Sequence, residues 1–211
     1  MTDLGPIQAA RRNGGERLVF DGKPLASSVG DFWAWSTSDL ITNSTRGVFA
    51  EFIVAAALGV AEGVREPWAA WDLTSRQGTK VEVKSAGYIQ SWHQKRLSTI
   101  TFGIRRTRNW TAETGMDNES ISRLADVYVF ALLAAVDQRV IDPLELNQWE
   151  FYVVPTSVLE ARTRSQHSIT LPTLRKLTDP IGYSGLAEAI ESAGTSSTRD
   201  DPSRRESRPH L

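Results

Sequence analysis

The sequence predicts an α/β fold in the wide sense (α+β), a mixed central β-sheet flanked by helices. Two observations predict it. Stretches rich in β-branched and aromatic residues alternate with stretches of helical character. The connections between them are both short, as hairpins need, and long, as crossovers between parallel strands need.

Taken in order, residues 1–16 are polar and glycine-bearing and are expected to form a flexible N-terminus. Residues 18–20, followed by Asp21-Gly22-Lys23, read as a short strand ending in a turn. Residues 31–40 hold Phe32, Trp33 and Trp35, expected to pack as an aromatic cluster against the core. Asn43, Ser44 and Thr45 offer capping side chains ahead of Gly47, and residues 48–58 read as a helix closed by Gly59. That helix is apolar on nearly every face and is expected to be buried on most sides.

Residues 71–74 and 79–85 read as two strands, and 98–104, 125–133 and 149–154 as three more, the run at 125–133 being a buried one. Helical pieces are expected near 157–162, 171–177 and 185–192. From Ala193 onward the chain is rich in Ser, Arg and Asp with no apolar pattern. The expected organisation is therefore a single domain at 17–193 and a disordered tail at 194–211.

A chain of 211 residues suits one domain with extensions. A net charge of −1 gives no hint of a nucleic-acid partner by itself. The absence of cysteine rules out disulfides, thiolate zinc sites and cysteine nucleophiles together. Residues 1–15 lack the apolar stretch of a signal peptide. The most apolar run, 48–61, is too short for a membrane span and contains Glu51. A soluble, cytoplasmic protein without a membrane partner is expected.

The chemistry centres on Trp71-Asp72-Leu73, followed closely by Glu82-Val83-Lys84. Arg76-Gln77-Gly78 lies between them. A three-residue hairpin loop usually ends in a residue with positive φ, which glycine supplies. Ser75 then pairs with Thr79, Thr74 with Lys80, Leu73 with Val81 and Asp72 with Glu82. Directly opposed residues share a face with Cβ atoms ~5 Å apart. Two carboxylates at that separation can hold one divalent cation between them. Lys84, two residues beyond Glu82, points to the same face ~7 Å along the strand. Val81 and Val83 turn to the opposite face, toward the core. Two acids side by side raise each other's pKa unless a cation intervenes. Magnesium, with its preference for hard oxygen ligands, removes that conflict. Glu51 is the only charged residue between Arg46 and Glu62. A buried carboxylate needs a partner, and a helix laid against the sheet can aim Glu51 at the same metal or its water shell.

Asp72, the Glu82-x-Lys84 triplet and the preceding helix with Glu51 resemble the PD-(D/E)xK nuclease superfamily. The resemblance covers residues 47–84 by motif and runs to about Val154 by order of elements. It implies a restriction-endonuclease-like mixed sheet flanked by helices and a Mg2+-dependent (deoxyribo)nuclease, with Mn2+ as a substitute. By resemblance, Asp72 and Glu82 ligate the metal with the Val83 carbonyl helping. Lys84 orients or activates the attacking water, and Glu51 stands in the outer shell or binds a second metal. The implied enzyme is an endonuclease of restriction-like or repair type acting on DNA, with RNA left open and a homodimer allowed. Two departures stand out. Trp71 occupies the proline position, and Gln90 is followed four positions on by Gln94 rather than tyrosine, which speaks against the exonuclease branch carrying that motif.

Residues 83–112 contain no Asp or Glu, yet hold Lys84, Lys95, Arg96, Arg105, Arg106 and Arg108. Basic side chains following a metal site suit contacts to a phosphate backbone. Trp92 and Trp110 in the same stretch can stack on bases, but the core is the expected place for them. Tyr88, Gln90 and Ser91 follow the triplet closely enough to orient substrate or to fill turn and packing roles. Asp126 begins an apolar strand, and a strand-end charge is its expected role. His93, His167 and His210 are too scattered for a three-histidine metal site. Three alternatives compete with a nuclease. One is a surface hairpin with its charges on the wet face. Another is a catalytically inactive nucleic-acid-binding module on the same fold. The third is a carboxylate-based glycosidase, which has no purpose for Lys84 or the acid-free stretch.

Overall fold

A computed structural model of the chain describes residues 5, 7–109, 118–162 and 167–199. The elements in order are β1 (Arg17–Phe20), β2 (Lys23–Ser28), α1 (Val29–Thr37), α2 (Asn43–Ala57), β3 (Leu73–Thr74) and β4 (Lys80–Gly87). They continue with β5 (Thr101–Gly103), β6 (Thr107–Asn109), β7 (Asn118–Ser122), β8 (Val127–Leu133) and β9 (Trp149–Pro155). The last are α3 (Thr156–Glu160), β10 (Ser168–Thr170), α4 (Leu171–Leu174) and α5 (Leu186–Arg199).

The central sheet has the order β3-β4-β8-β9. Its β3–β4 and β8–β9 pairs are antiparallel and its β4–β8 pair is parallel, so the sheet is mixed as the sequence predicts. A parallel pair needs a long crossover. Residues 88–126 provide it and carry β5, which pairs with β10 in a separate small sheet.

Side-chain alternation divides the core into two layers. Val81 and Val83, with Val127, Val129, Trp149 and Phe151, face Ala50, Ile53 and Val54 of α2 and Leu186 and Ile190 of α5. On the other side, Tyr128, Phe130, Tyr152 and Val154 meet Phe102, Ile169, Leu159 and Leu174. Strand β8 is buried at every position because both faces are covered.

Three expectations need correction. The aromatic residues of α1 do not join the core: Phe32, Trp33 and Trp35 are all exposed, Trp35 by 85%. Local signals make this helix. Asp31 accepts from the Ser28 N–H at 2.7 Å, and Ser28 Oγ accepts from the Asp31 N–H at 3.2 Å, a reciprocal capping box. Tertiary packing does not follow, because α1 leans on the β1–β2 hairpin, which is no part of the central sheet.

Helix α2 begins at Asn43, before the expected start at Val48, and runs through Gly47. Gly59, at φ 66°, follows its end as expected. Only one side of α2 is covered: Arg46, Ala50, Ile53 and Val54 are buried, while Phe52 is 55% exposed. A single sheet face can cover only one helical stripe, whatever the composition of the rest.

Helix α5 extends to Arg199 and so takes in the first six residues of the tail expected at 194–211. At Gly194 it packs by close approach rather than by apolar pattern. A Cβ on Gly194 would lie 2.4 Å from Thr79 Oγ1, so only glycine lets α5 come this near to Thr79, the residue before β4. Thr79 Oγ1 also donates to Glu191 at 3.1 Å. Among the described residues, no helix is long and apolar enough to cross a membrane.

Candidate functional site

The site is built on the β3–β4 hairpin. The Gly78 N–H donates to the Ser75 carbonyl at 3.0 Å, and the Ser75 N–H donates to Thr79 at 2.9 Å. Gly78 has φ 89°, the positive value its place in the loop requires. Leu73 pairs with Val81 and Thr74 with Lys80. Beyond the last pair, the Asp72 N–H donates to the Val81 carbonyl at 3.1 Å. The paired register matches the one the turn predicts as far as Leu73 with Val81, and Asp72 lies just beyond it, beside the Val81–Val83 stretch of β4.

The three side chains converge. Asp72 Oδ2 accepts from the Val83 N–H at 2.7 Å. Lys84 Nζ forms an ion pair with Glu82 Oε1, and both groups remain partly exposed. Burial pushes the Asp72 carboxyl up to about 7, and the neighbouring Glu82 charge adds to the rise. The Val83 N–H pulls the other way, Glu51 raises it further, and the Lys84 ammonium lowers it. Neighbouring carboxylates are the kind of hard oxygen donor a magnesium ion takes, usually one or two together with several waters.

Glu51 has a different partner from the one expected. Arg65 Nη2 donates to Glu51 Oε1 at 2.8 Å, and Arg65 Nε pairs with the other oxygen. Arg65 thus satisfies the partly buried acid directly. Glu51 sits on α2, which packs against the Val81–Val83 side of the sheet, while its charge is still felt by Asp72. Among the described residues, no group of three or more His, Asp or Glu side chains is arranged to hold a metal. The structure brings Asp72, Glu82 and Lys84 together and leaves Glu51 on Arg65.

Two residues near the site were not legible in the sequence. The Arg65 guanidinium is pushed above its usual range, mainly by Glu51 and in smaller part by the Asp72 charge. It lies in the irregular segment between α2 and β3, with no pattern around it to mark it. Tyr128 pairs in register with Glu82 across the parallel β4–β8 ladder. Burial, then the Glu82 charge, pushes its hydroxyl above the ordinary value. Parallel register cannot be read from a turn, so no local signal could have placed it there.

Asp126 accepts from the Lys80 N–H at 3.0 Å and ties down the start of β4, the strand-end role expected of it. Of the predicted basic residues, Lys95, Arg96 and Arg105 are exposed. Arg106 is paired with Glu160, which also holds the buried Arg123. Arg108 lies on β6 with its side chain outside the described residues, as does Trp110 altogether. Trp92, expected in the core, is 53% exposed. The segment that carries it lies beyond the end of β4, outside both buried clusters.

A family model described as Bacteriophage T4 endonuclease IV matches residues 34–171, more than half of the 211-residue chain and a span that contains the whole hairpin site. No curated protein matches the chain.

Proposed function

This chain belongs to the bacteriophage T4 endonuclease IV family, and from that premise we propose that it is a metal-dependent DNA endonuclease of the PD-(D/E)xK, restriction-endonuclease-like type. The observation that carries the proposal is the convergence on one hairpin of Asp72, bonded to the Val83 N–H, and of Glu82, close enough for its charge to act on Asp72, with Lys84 bonded to Glu82. Asp72, Glu82 and the Val83 carbonyl would hold the magnesium ion. When bound, that ion supplies a water of lowered pKa and neutralises charge on the scissile phosphate.

The remaining work falls to the chain itself. Asp72 is half-buried and held by the Val83 N–H, which bonds one of its two oxygens. Lys84 supplies a positive charge beside the reacting phosphate, where negative charge grows as the nucleophile arrives. Its contact with Glu82 holds the ammonium in place before substrate binds. Arg65 holds the Glu51 carboxylate in an ion pair through both of its oxygens. The exposed Lys95, Arg96 and Arg105 would meet backbone phosphates.

Incubation of the protein with supercoiled, linear and single-stranded DNA in magnesium or manganese tests the proposal. Wild type is expected to cut or nick. Glu82→Ala and Lys84→Ala should each lose at least about a hundredfold in rate, the usual scale for removing a group that stabilises transition-state charge. Equal cleavage by wild type and both variants would place the chemistry elsewhere.

A further inference from the structure

Beyond Lys84, β4 runs on through Ser85 to Gly87 and forms the wall of a cleft of about 300 Å³. Those residues lie roughly 3–10 Å along the strand from Lys84. Arg46 lines the cleft from α2, Gln90 and Ser98 line it from the crossover, and Trp92 stands at its edge. No residue lining it is acidic.

Arg46 is only 3% exposed. Its guanidinium donates to Asn43 Oδ1 at 2.6 Å, the Ile41 carbonyl at 2.8 Å, Ser85 Oγ at 3.3 Å and Gln90 Oε1 at 3.4 Å. Every one of these acceptors is neutral, and no ion pair involves Arg46 among the described residues. A buried charge without a counter-charge is expensive, and an apolar side chain of similar volume would pack there at lower cost. The surrounding polar groups are held in advance. Gln90 Nε2 donates to the Gly87 carbonyl at 2.8 Å and to Ser98 Oγ at 3.1 Å, and Gln94 Nε2 reaches the same hydroxyl at 3.0 Å. Gly87 leaves room for the guanidinium, since a Cβ there would come within 3.4 Å of Nη1.

We infer that this cleft is a nucleotide subsite beside the active centre, in which Arg46 meets a strand phosphate and the exposed indole of Trp92 stacks on the adjoining base. The missing counter-charge is then the phosphate itself, and Arg is the side chain suited to it. A volume of about 300 Å³ is at the small end of ligand pockets, which fits one nucleotide and little more. The inference rests on the nuclease reading, because it takes the bound strand to continue from the hairpin site into the cleft.

Binding of the full chain to a fluorescent oligonucleotide, followed by anisotropy without divalent cation over a series of salt concentrations, tests it. Arg46→Gln should weaken binding and reduce the slope of log Kd against log salt by about 0.7–0.9, the loss of one phosphate contact. Trp92→Ala should weaken binding about fivefold to a hundredfold with no change in slope, and Trp92→Phe should restore most of it. Circular dichroism checks that Arg46→Gln is folded, and the exposed position of Trp92 keeps the test open if it is not. An unchanged slope in folded Arg46→Gln, or full affinity in Trp92→Ala, overturns the subsite. If wild type cuts DNA and Lys84→Ala does not, while the two cleft variants bind normally, the subsite alone fails. If wild type does not cut but the cleft variants lose binding as described, the nuclease reading alone fails.

Discussion

Replacing Asp72 by asparagine should make the metal-free protein more stable at neutral pH while abolishing cleavage. The reasoning starts from the carboxyl, whose pKa burial and the Glu82 charge push from 3.8 to about 7 in the folded chain. In the unfolded chain it returns to the ordinary value. Below about pH 4 both states carry the proton, and the group has no effect on stability. Between about pH 4 and pH 7 the unfolded state has lost the proton and the folded state retains it, so stability falls as pH rises. Above about pH 7 both are ionised and the loss is complete. At about 1.4 kcal/mol for each tenfold change in the ionisation constant, the loss reaches up to about 4 kcal/mol. Asparagine keeps an oxygen to accept from the Val83 N–H and carries no charge, so it removes the loss with little change of shape. Urea denaturation with a chelator present, at about pH 4 and about pH 8, measures it. The two proteins should be nearly equal at the lower pH, with the variant ahead at the higher. Excess magnesium should stabilise wild type at the higher pH and leave the variant unmoved. Wild-type and variant stabilities that run parallel across the whole range would show that the carboxyl is not strained in the folded state.

Further outcomes follow from the same contacts. Glu51→Gln removes one of the charges that raise the Asp72 carboxyl, so the pH midpoint of the stability loss should move downward in the same denaturation series. Gly194→Ala places a methyl against Thr79 and should cost about 1–3 kcal/mol, read as a lower urea midpoint, because α5 or the β4 start must shift to admit it. Trp35→Ser should change stability by no more than about 0.5 kcal/mol, since the indole is exposed; a larger loss in thermal melting would mean that α1 packs against the core after all.

What was legible in the sequence was the part governed by local chemistry. Gly78 sets the loop, the loop sets the β3–β4 register, and the period of two then carries Glu82 and Lys84 to one face. None of these steps needs to know where the rest of the chain lies. The strands at β8 and β9 were visible for a similar reason, because a segment buried on both faces must be apolar along its length. The expectations that failed were those that used composition to infer packing. Phe32, Trp33 and Trp35 are as apolar as any core residue, yet a capped helix on a peripheral hairpin has no partner layer to bury them. The end of α5 shows the converse. Gly194 gives no apolar signal, and what places it is the steric demand of Thr79, a residue more than a hundred positions away in sequence.

That division explains the layout of the site itself. The acid pair and the lysine come from one hairpin, so their mutual geometry depends on a single tight turn. The groups that tune them come from afar: Glu51 from α2, Arg65 from an irregular connection, and Tyr128 through a parallel pairing. A change in those distant groups alters charge and burial around Asp72 but leaves the hairpin that carries the pair in place. A one-residue change in the turn has a far larger effect, since it slips the register and sends Glu82 to the face now occupied by Val81 and Val83. Chemistry that needs two carboxylates within reach of one cation is therefore most safely placed where sequence separation is shortest, and the least legible residues are those that adjust the site rather than form it.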